Sequence, residues 1–164
     1  MCGLYGETET EPKLQPVGEE DLPRGANTQE GARADIRIKS YLRPFQNSYF
    51  DVQVINAQSK CHENITPKDA MKKAEENKER VYKDRIESVE GGAFIPLIFT
   101  TKGARSYKTA KTISKIGAMI ANEWKEITGA TIKKISQELS YAFLRSELTC
   151  IRGARKQRAT NQGL

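Results

Sequence analysis

The run AFIPLIFT at residues 93–100 constrains this chain most, because it is short, almost wholly apolar and follows directly on a long helical pattern. Such a run reads as a strand buried on both faces. The helix ahead of it has well-marked ends. Thr66 is a good N-cap, Pro67 suits the first helical position, and Asp69 stands where a capping box wants an acid. Ala70, Ala74, Val81 and Val89 give a thin apolar stripe, supplemented by Met71, Tyr82 and Ile86, and Gly91-Gly92 ends it. A strand, a long helix and a buried strand make a crossover, so part of the sheet is expected to be parallel. Pro96 has no N–H to give to a ladder, which counts against a central position for the buried strand.

Two further strands are expected before the helix. In residues 34–38, Ile36 and Ile38 face one way while Asp35 and Arg37 face the other. In residues 49–55, Phe50, Val52 and Val54 share one face, and Asp51, Gln53 and Ile55 share the opposite one. The connection between them contains Pro44 and reads as an open loop. LQPV at 14–17 is a candidate edge strand, and 18–31 has the Gly, Pro and Asn content of a loop. After the buried strand come two more helices. Ile113, Ile116, Ile120, Trp124 and Ile127 mark the first, Thr128-Gly129 breaks it, and Ile132, Ile135, Leu139, Ala142, Phe143 and Ile151 mark the second. The stripe containing Trp124 reads as core rather than as a stacking platform for bases.

With 164 residues, one α/β domain over 13–153 is expected, between a disordered acidic N-terminus (1–12) and a flexible basic tail (154–164). No apolar stretch approaches the roughly 20 residues of a membrane span, and no signal peptide is recognised, so no membrane partner is expected. Cys2, Cys61 and Cys150 are odd in number and widely spaced, which points to a reducing, intracellular compartment, nuclear or cytoplasmic. His62 is the only histidine, so neither a zinc site nor a Ser-His-Asp or Cys-His arrangement is expected, and Cys61-His62 reads as surface. The glycines of TKGARS and IRGAR lack the spacing of a phosphate-cradling loop.

Charge is unevenly spread. Residues 1–30 carry two basic and seven acidic side chains, a net of −5, whereas 101–164 carry 13 against four, a net of +9. That asymmetry points to a polyanion partner for the C-terminal half, DNA first and RNA beside it. One constellation fits such a partner. Asp51 and Gln53 project from one face of their strand, and Asp35 can join them from the neighbouring strand. Two such carboxylates suit Mg²⁺ or Mn²⁺, and a metal so held polarises a phosphodiester and activates water.

The run LQPV…GARADIRI…YFDVQVIN, a KxxxY element within the helix, SVEGGAFIPLIFTTKGA and SYAFLRSELTCIRGAR together resemble the C-terminal segment of LINE-type retrotransposon reverse transcriptase polyproteins. That segment is similar to a restriction-endonuclease-like domain of the PD-(D/E)XK fold, and the resemblance covers roughly residues 11–155. It implies a mixed sheet in restriction-endonuclease-like order (strands, crossover helix, buried strand) followed by two C-terminal helices. It also implies metal-dependent DNA cleavage. Asp35 matches the first aspartate, with Ala34 in place of the usual proline, and Asp51 matches the second acid. Gln53 stands where the motif's lysine would be; it can hold a water but supplies no charge. Lys78, four residues before Tyr82, is the best substitute, with Lys83 behind it, although by helix position Lys78 reads as part of a solvated face. The helix that usually opens this fold has no counterpart before Leu14. Tyr107, Lys108, Lys111, Lys115, Arg152 and Arg155 would supply phosphate contacts. Two alternatives stand beside the endonuclease: a catalytically inactive nucleic-acid-binding relic, and a protein-interaction module with an unknown partner.

Overall fold

A computed structural model of the chain describes residues 7–17, 22 and 26–161, with the backbone alone for Cys61 and 151–161. The elements in chain order are β1 (Thr8–Thr10), β2 (Ile36–Lys39), β3 (Asn47–Ile55), α1 (Pro67–Ser88), β4 (Ala93–Thr100), α2 (Tyr107–Trp124) and α3 (Thr128–Asn161). A 3₁₀ turn, Lys60–His62, precedes α1. Over the described residues the chain is therefore α/β, with a four-stranded mixed sheet and three α-helices. None of the helices, over the described residues, is long and apolar enough to cross a membrane.

Strand order is β1-β2-β3-β4. β1 and β2 pair antiparallel with Thr10 opposite Ile36, and β2 and β3 do so with Ile36 opposite Phe50. β4 follows β3 through the crossover helix α1 and closes one end of the strand order, where a proline such as Pro96 is tolerated. The edge strand lies earlier than expected. Residues 14–17 form no strand, only Lys13 bridges to Arg33, and Thr8–Thr10 pairs instead, although it falls in the stretch expected to be disordered. Alternating Thr-Glu-Thr is a good β sequence, and the ion pair Glu9–Arg37 spans the two strands. Residues 1–6 of that expected segment lie outside the described residues.

The α1 cap forms as its sequence dictates: Thr66 Oγ1 accepts from the Asp69 N–H at 3.2 Å. One face of α1 then meets the sheet in two apolar clusters. Ala70 and Met71 pack with Ile55 and Ile98, and Ile86 packs with Leu14, Ala32, Ala34 and Tyr49. Full burial of a side chain such as Ile86 or Ile98 contributes about 1.5–3 kcal/mol. Tyr82 stacks on Phe94 with ring centroids 5.6 Å apart. Arg85 is fully buried and fastens the N-terminal segment to the helix. Its Nη1 donates to Asn27 O (2.7 Å) and Gln29 O (3.1 Å), and its Nη2 donates to Gln15 O (2.9 Å).

The chain divides into two compact units, Met1–Phe99 and Thr100–Leu164. The second has packing of its own. Gly117 on α2 lets Ile132 and Ile135 of α3 approach, and a methyl group there would stand 2.6 Å from Ile132 Cγ1. The break between the helices comes three residues before Thr128-Gly129. Lys125 adopts a left-handed conformation (φ 55°), and the Glu126 N–H bonds Ala121 O at 2.8 Å. Trp124 and Ile127 consequently sit at the turn, 64% and 79% exposed, and are not core. The backbone of α3 continues to Asn161, through most of the tail expected to be flexible.

Candidate functional site

Antiparallel pairing determines where the acidic residues meet. Asp35 immediately precedes β2, one residue beyond the Ile36–Phe50 pair where the β2–β3 register ends, and its charge is felt at Asp51 on β3. The Asp35 N–H bonds Phe50 O at 3.0 Å, and its Oδ2 accepts from the Val52 N–H at 2.5 Å. That carboxylate therefore straps the start of β2 to β3 while remaining exposed. Asp51, by contrast, is 6% exposed. Side-chain alternation along β3 turns Asp51, Gln53 and Ile55 toward α1 and leaves Val52 and Val54 outside.

The helix answers Asp51 with a cation. Lys78 Nζ lies 2.6 Å from Asp51 Oδ2, and the Lys78 side chain is only 22% exposed. The approach is close but poorly directed, so Oδ2 has no well-aligned hydrogen-bond donor. Lys78 is thus not part of a solvated face. It stands in the same row as Ala70, Ala74, Tyr82 and Ile86, spaced four residues apart, between the two apolar clusters. Its ammonium also lies 5.3 Å from the Tyr82 ring centroid, a cation–π distance. The KxxxY spacing is therefore structural: Phe94 holds Tyr82, Tyr82 holds Lys78, and Lys78 meets Asp51. Lys83 is exposed.

Burial pushes the Asp51 carboxyl above the usual carboxylate range, because water no longer solvates its charge. Lys78 pulls it back down, and the Asp35 charge adds a smaller push upward. Desolvation wins. Gln53, two residues along the same face, has its Oε1 buried with no hydrogen-bond partner. Among the described residues no group of three or more His, Cys, Asp or Glu is placed to hold a metal ion. Asp35 and Asp51 are the two carboxylates here, Asp35 Oδ2 accepting from the Val52 N–H and Asp51 Oδ2 facing the Lys78 ammonium.

His62, expected at the surface, is not there. Its ring is half-buried, with Nδ1 enclosed and without a hydrogen-bond partner, and it lines a groove between β3 and α1 together with Gln53. No sequence motif announces this, since the placement depends on the 3₁₀ turn that delivers His62.

In the Thr100–Leu164 unit, Tyr107, Lys108, Lys111 and Lys115 are all exposed on the first turns of α2, and 108, 111 and 115 share one helix face. Arg152 and Arg155 lie on α3 by backbone, with side chains outside the described residues. No protein-family model, no curated protein and no solved structure matches the chain.

Proposed function

We propose that the Met1–Phe99 unit carries a divalent-metal-dependent DNA endonuclease site of the PD-(D/E)XK kind, derived from a retrotransposon polyprotein. The observation that carries this reading is the Lys78 ammonium 2.6 Å from the buried Asp51 carboxylate, with Asp35 just ahead of β2 and its carboxylate bonded to the Val52 N–H of the same strand as Asp51. A cation so placed offers the charge that Gln53 lacks. The strand–helix–strand order around it is compatible with the restriction-endonuclease-like arrangement.

Asp35 and Asp51 would hold the ion. Mg²⁺ commonly uses one or two carboxylates and completes its shell with water and substrate phosphate, so this pair fits it, and Mn²⁺ equally. When bound, the metal would supply Lewis-acid polarisation of the phosphodiester. The chain's own groups do the rest. Lys78 places positive charge beside the position where the phosphate's negative charge grows, in a site whose burial strengthens that interaction. The Gln53 amide orients a water. Tyr82 keeps the Lys78 ammonium from swinging into solvent. Tyr107, Lys108, Lys111 and Lys115 contact the DNA backbone, with Arg152 and Arg155 as further phosphate contacts, and binding weakens steeply with salt. RNA offers the same phosphates. A nuclear or cytoplasmic location belongs to this reading.

A second reading, a binding relic of the same domain, is favoured by Gln53 at the lysine position. Nicking of supercoiled plasmid with Mg²⁺ or Mn²⁺, against EDTA controls, decides between the two. The expected result is metal-dependent nicking by the wild type, lost in Asp51→Ala and in Lys78→Ala while far-UV circular dichroism stays native. Persistent nicking in folded Asp51→Ala would refute the site. Absent nicking with salt-sensitive DNA binding retained would leave the relic, and loss of both would favour a protein-interaction module.

A further inference from the structure

Beside the Asp51–Lys78 pair, β3 and α1 enclose a groove of roughly 430 Å³. That size lies in the range of small-ligand sites. Its apolar wall is Ile55, Ala70 and Ala74. Two polar atoms at its boundary, Gln53 Oε1 and His62 Nδ1, are buried with no hydrogen-bond partner. Each is shielded from bulk solvent and has no partner within the chain, which leaves it a hydrogen bond to offer. Both sit on soft terminal torsions, so a ligand group can draw either atom to the groove wall. Lys73 and Arg80 stand at the rim, with Arg80 Nη2 steadied by Asn77 Oδ1 at 2.9 Å. The acidic rim residue, Glu76, is answered by Lys72 at 3.8 Å.

We propose that this groove is a nucleotide subsite, taking one base against the Ile55–Ala70–Ala74 wall and the attached phosphate at Lys73 and Arg80. An apolar wall suits the face of a base. Gln53 and His62 supply hydrogen-bonding groups for its edge, and the rim cations match a phosphate. An apolar ligand would leave the two polar atoms unpaired, and inorganic phosphate would leave the wall uncovered. The inference rests on the nuclease reading only for its source: Gln53 lies on the same strand face as Asp51, so a strand cleaved there could run its neighbouring nucleotide into the groove.

The test is a titration of ¹⁵N-labelled full-length chain, in EDTA, with the four nucleoside 5′-monophosphates, the matching nucleosides and inorganic phosphate. At least one monophosphate is expected to shift signals of Gln53, His62 and Asn77 saturably, more tightly than its nucleoside or phosphate. Gln53→Leu and Arg80→Ala should each weaken it about fivefold or more, the scale of one hydrogen bond, and Lys68→Ala should not. A short single-stranded oligonucleotide competing at lower concentration identifies a strand as the source; binding without such competition identifies free nucleotide. The proposal is overturned by absence of shifts up to about 10 mM, by equal shifts from inorganic phosphate alone, or by unchanged affinity in folded Gln53→Leu. No cleavage is read and no metal is present, so these outcomes are independent of the nicking result.

Discussion

Replacing Lys78 by Met should leave the Asp51 carboxyl buried without its cation, and the cost can be worked out. At an effective dielectric near 20, opposite charges about 4 Å apart attract by about 4 kcal/mol, and part of that is offset by desolvation of both groups. Breaking a fully buried pair costs about 3–5 kcal/mol. Because the Lys78 side chain keeps 22% of its exposure, water screens some of the attraction, and we expect about 2–3 kcal/mol at neutral pH. The sign with pH follows from Asp51. Its carboxyl is raised in the folded state, so the folded chain binds that proton more tightly than the unfolded chain. The associated stability is fully present below the unfolded value, about 3.9, and is lost as pH rises through the folded value. Lys78→Met removes the group that pulls Asp51 down, so its loss of stability should extend to higher pH than in the wild type. Asp51→Asn should be near neutral or stabilising, and Lys78→Met/Asp51→Asn should show no such pH step. Urea unfolding of all four chains in EDTA, followed by circular dichroism and by exchange of the Val52 amide, gives the double-mutant cycle. A coupling of about 2 kcal/mol at pH 7 that vanishes near pH 4 is expected. A coupling below about 0.5 kcal/mol at pH 7, or one independent of pH, would refute the reasoning.

Three other substitutions probe packing within each of the two units. Arg85→Met leaves the carbonyls of Gln15, Asn27 and Gln29 without their donor, and should cost about 3 kcal/mol in urea unfolding; a loss under about 1 kcal/mol would show that the clamp is dispensable. Gly92→Ala pushes a methyl group to within 2.6 Å of Tyr49 Cε2 and 2.9 Å of Asn47 O, and the backbone oxygen cannot step aside; a loss of about 2–3 kcal/mol is expected by the same assay. Gly117→Ala gains about 1 kcal/mol of helix propensity but drives a methyl group into Ile132, so a net loss of about 1–2 kcal/mol is expected, read by thermal unfolding of α2 and α3 through the helical signal. Net stabilisation by that alanine would show that the two helices do not pack as described.

Much of the fold was legible because its signals are local. The Thr66–Asp69 cap, the glycines after α1 and the apolar run of β4 each act within a few residues, and all three elements stand where their chemistry puts them. β1 escaped because strand pairing is a long-range event, and the sparse polarity of Thr8–Thr10 carries no burial signal of its own. Trp124 misled for the opposite reason: its helical spacing was correct, but the left-handed Lys125 stopped the helix and left the indole at a corner. In the site, Asp51 and Gln53 were readable from alternation alone. Lys78 had a signal that went unused, since a lysine in phase with Ala70, Ala74, Tyr82 and Ile86 falls on the buried row. The groove at His62 had none.

The Arg85 clamp also bears on the order in which the chain folds. Its three hydrogen bonds join residues 56 to 70 positions apart, and Glu90 reaches Gln15 across 75. Contacts so distant in sequence carry a loop-closure cost before they return anything, so they form after helical and hairpin contacts. During synthesis Gln15, Asn27 and Gln29 leave the ribosome 56 to 70 residues ahead of the arginine that anchors them. Seven acidic side chains within the first 30 residues suit that interval: a segment that must wait undocked gains from being charged and poor in apolar surface, because it is then a weak partner for aggregation.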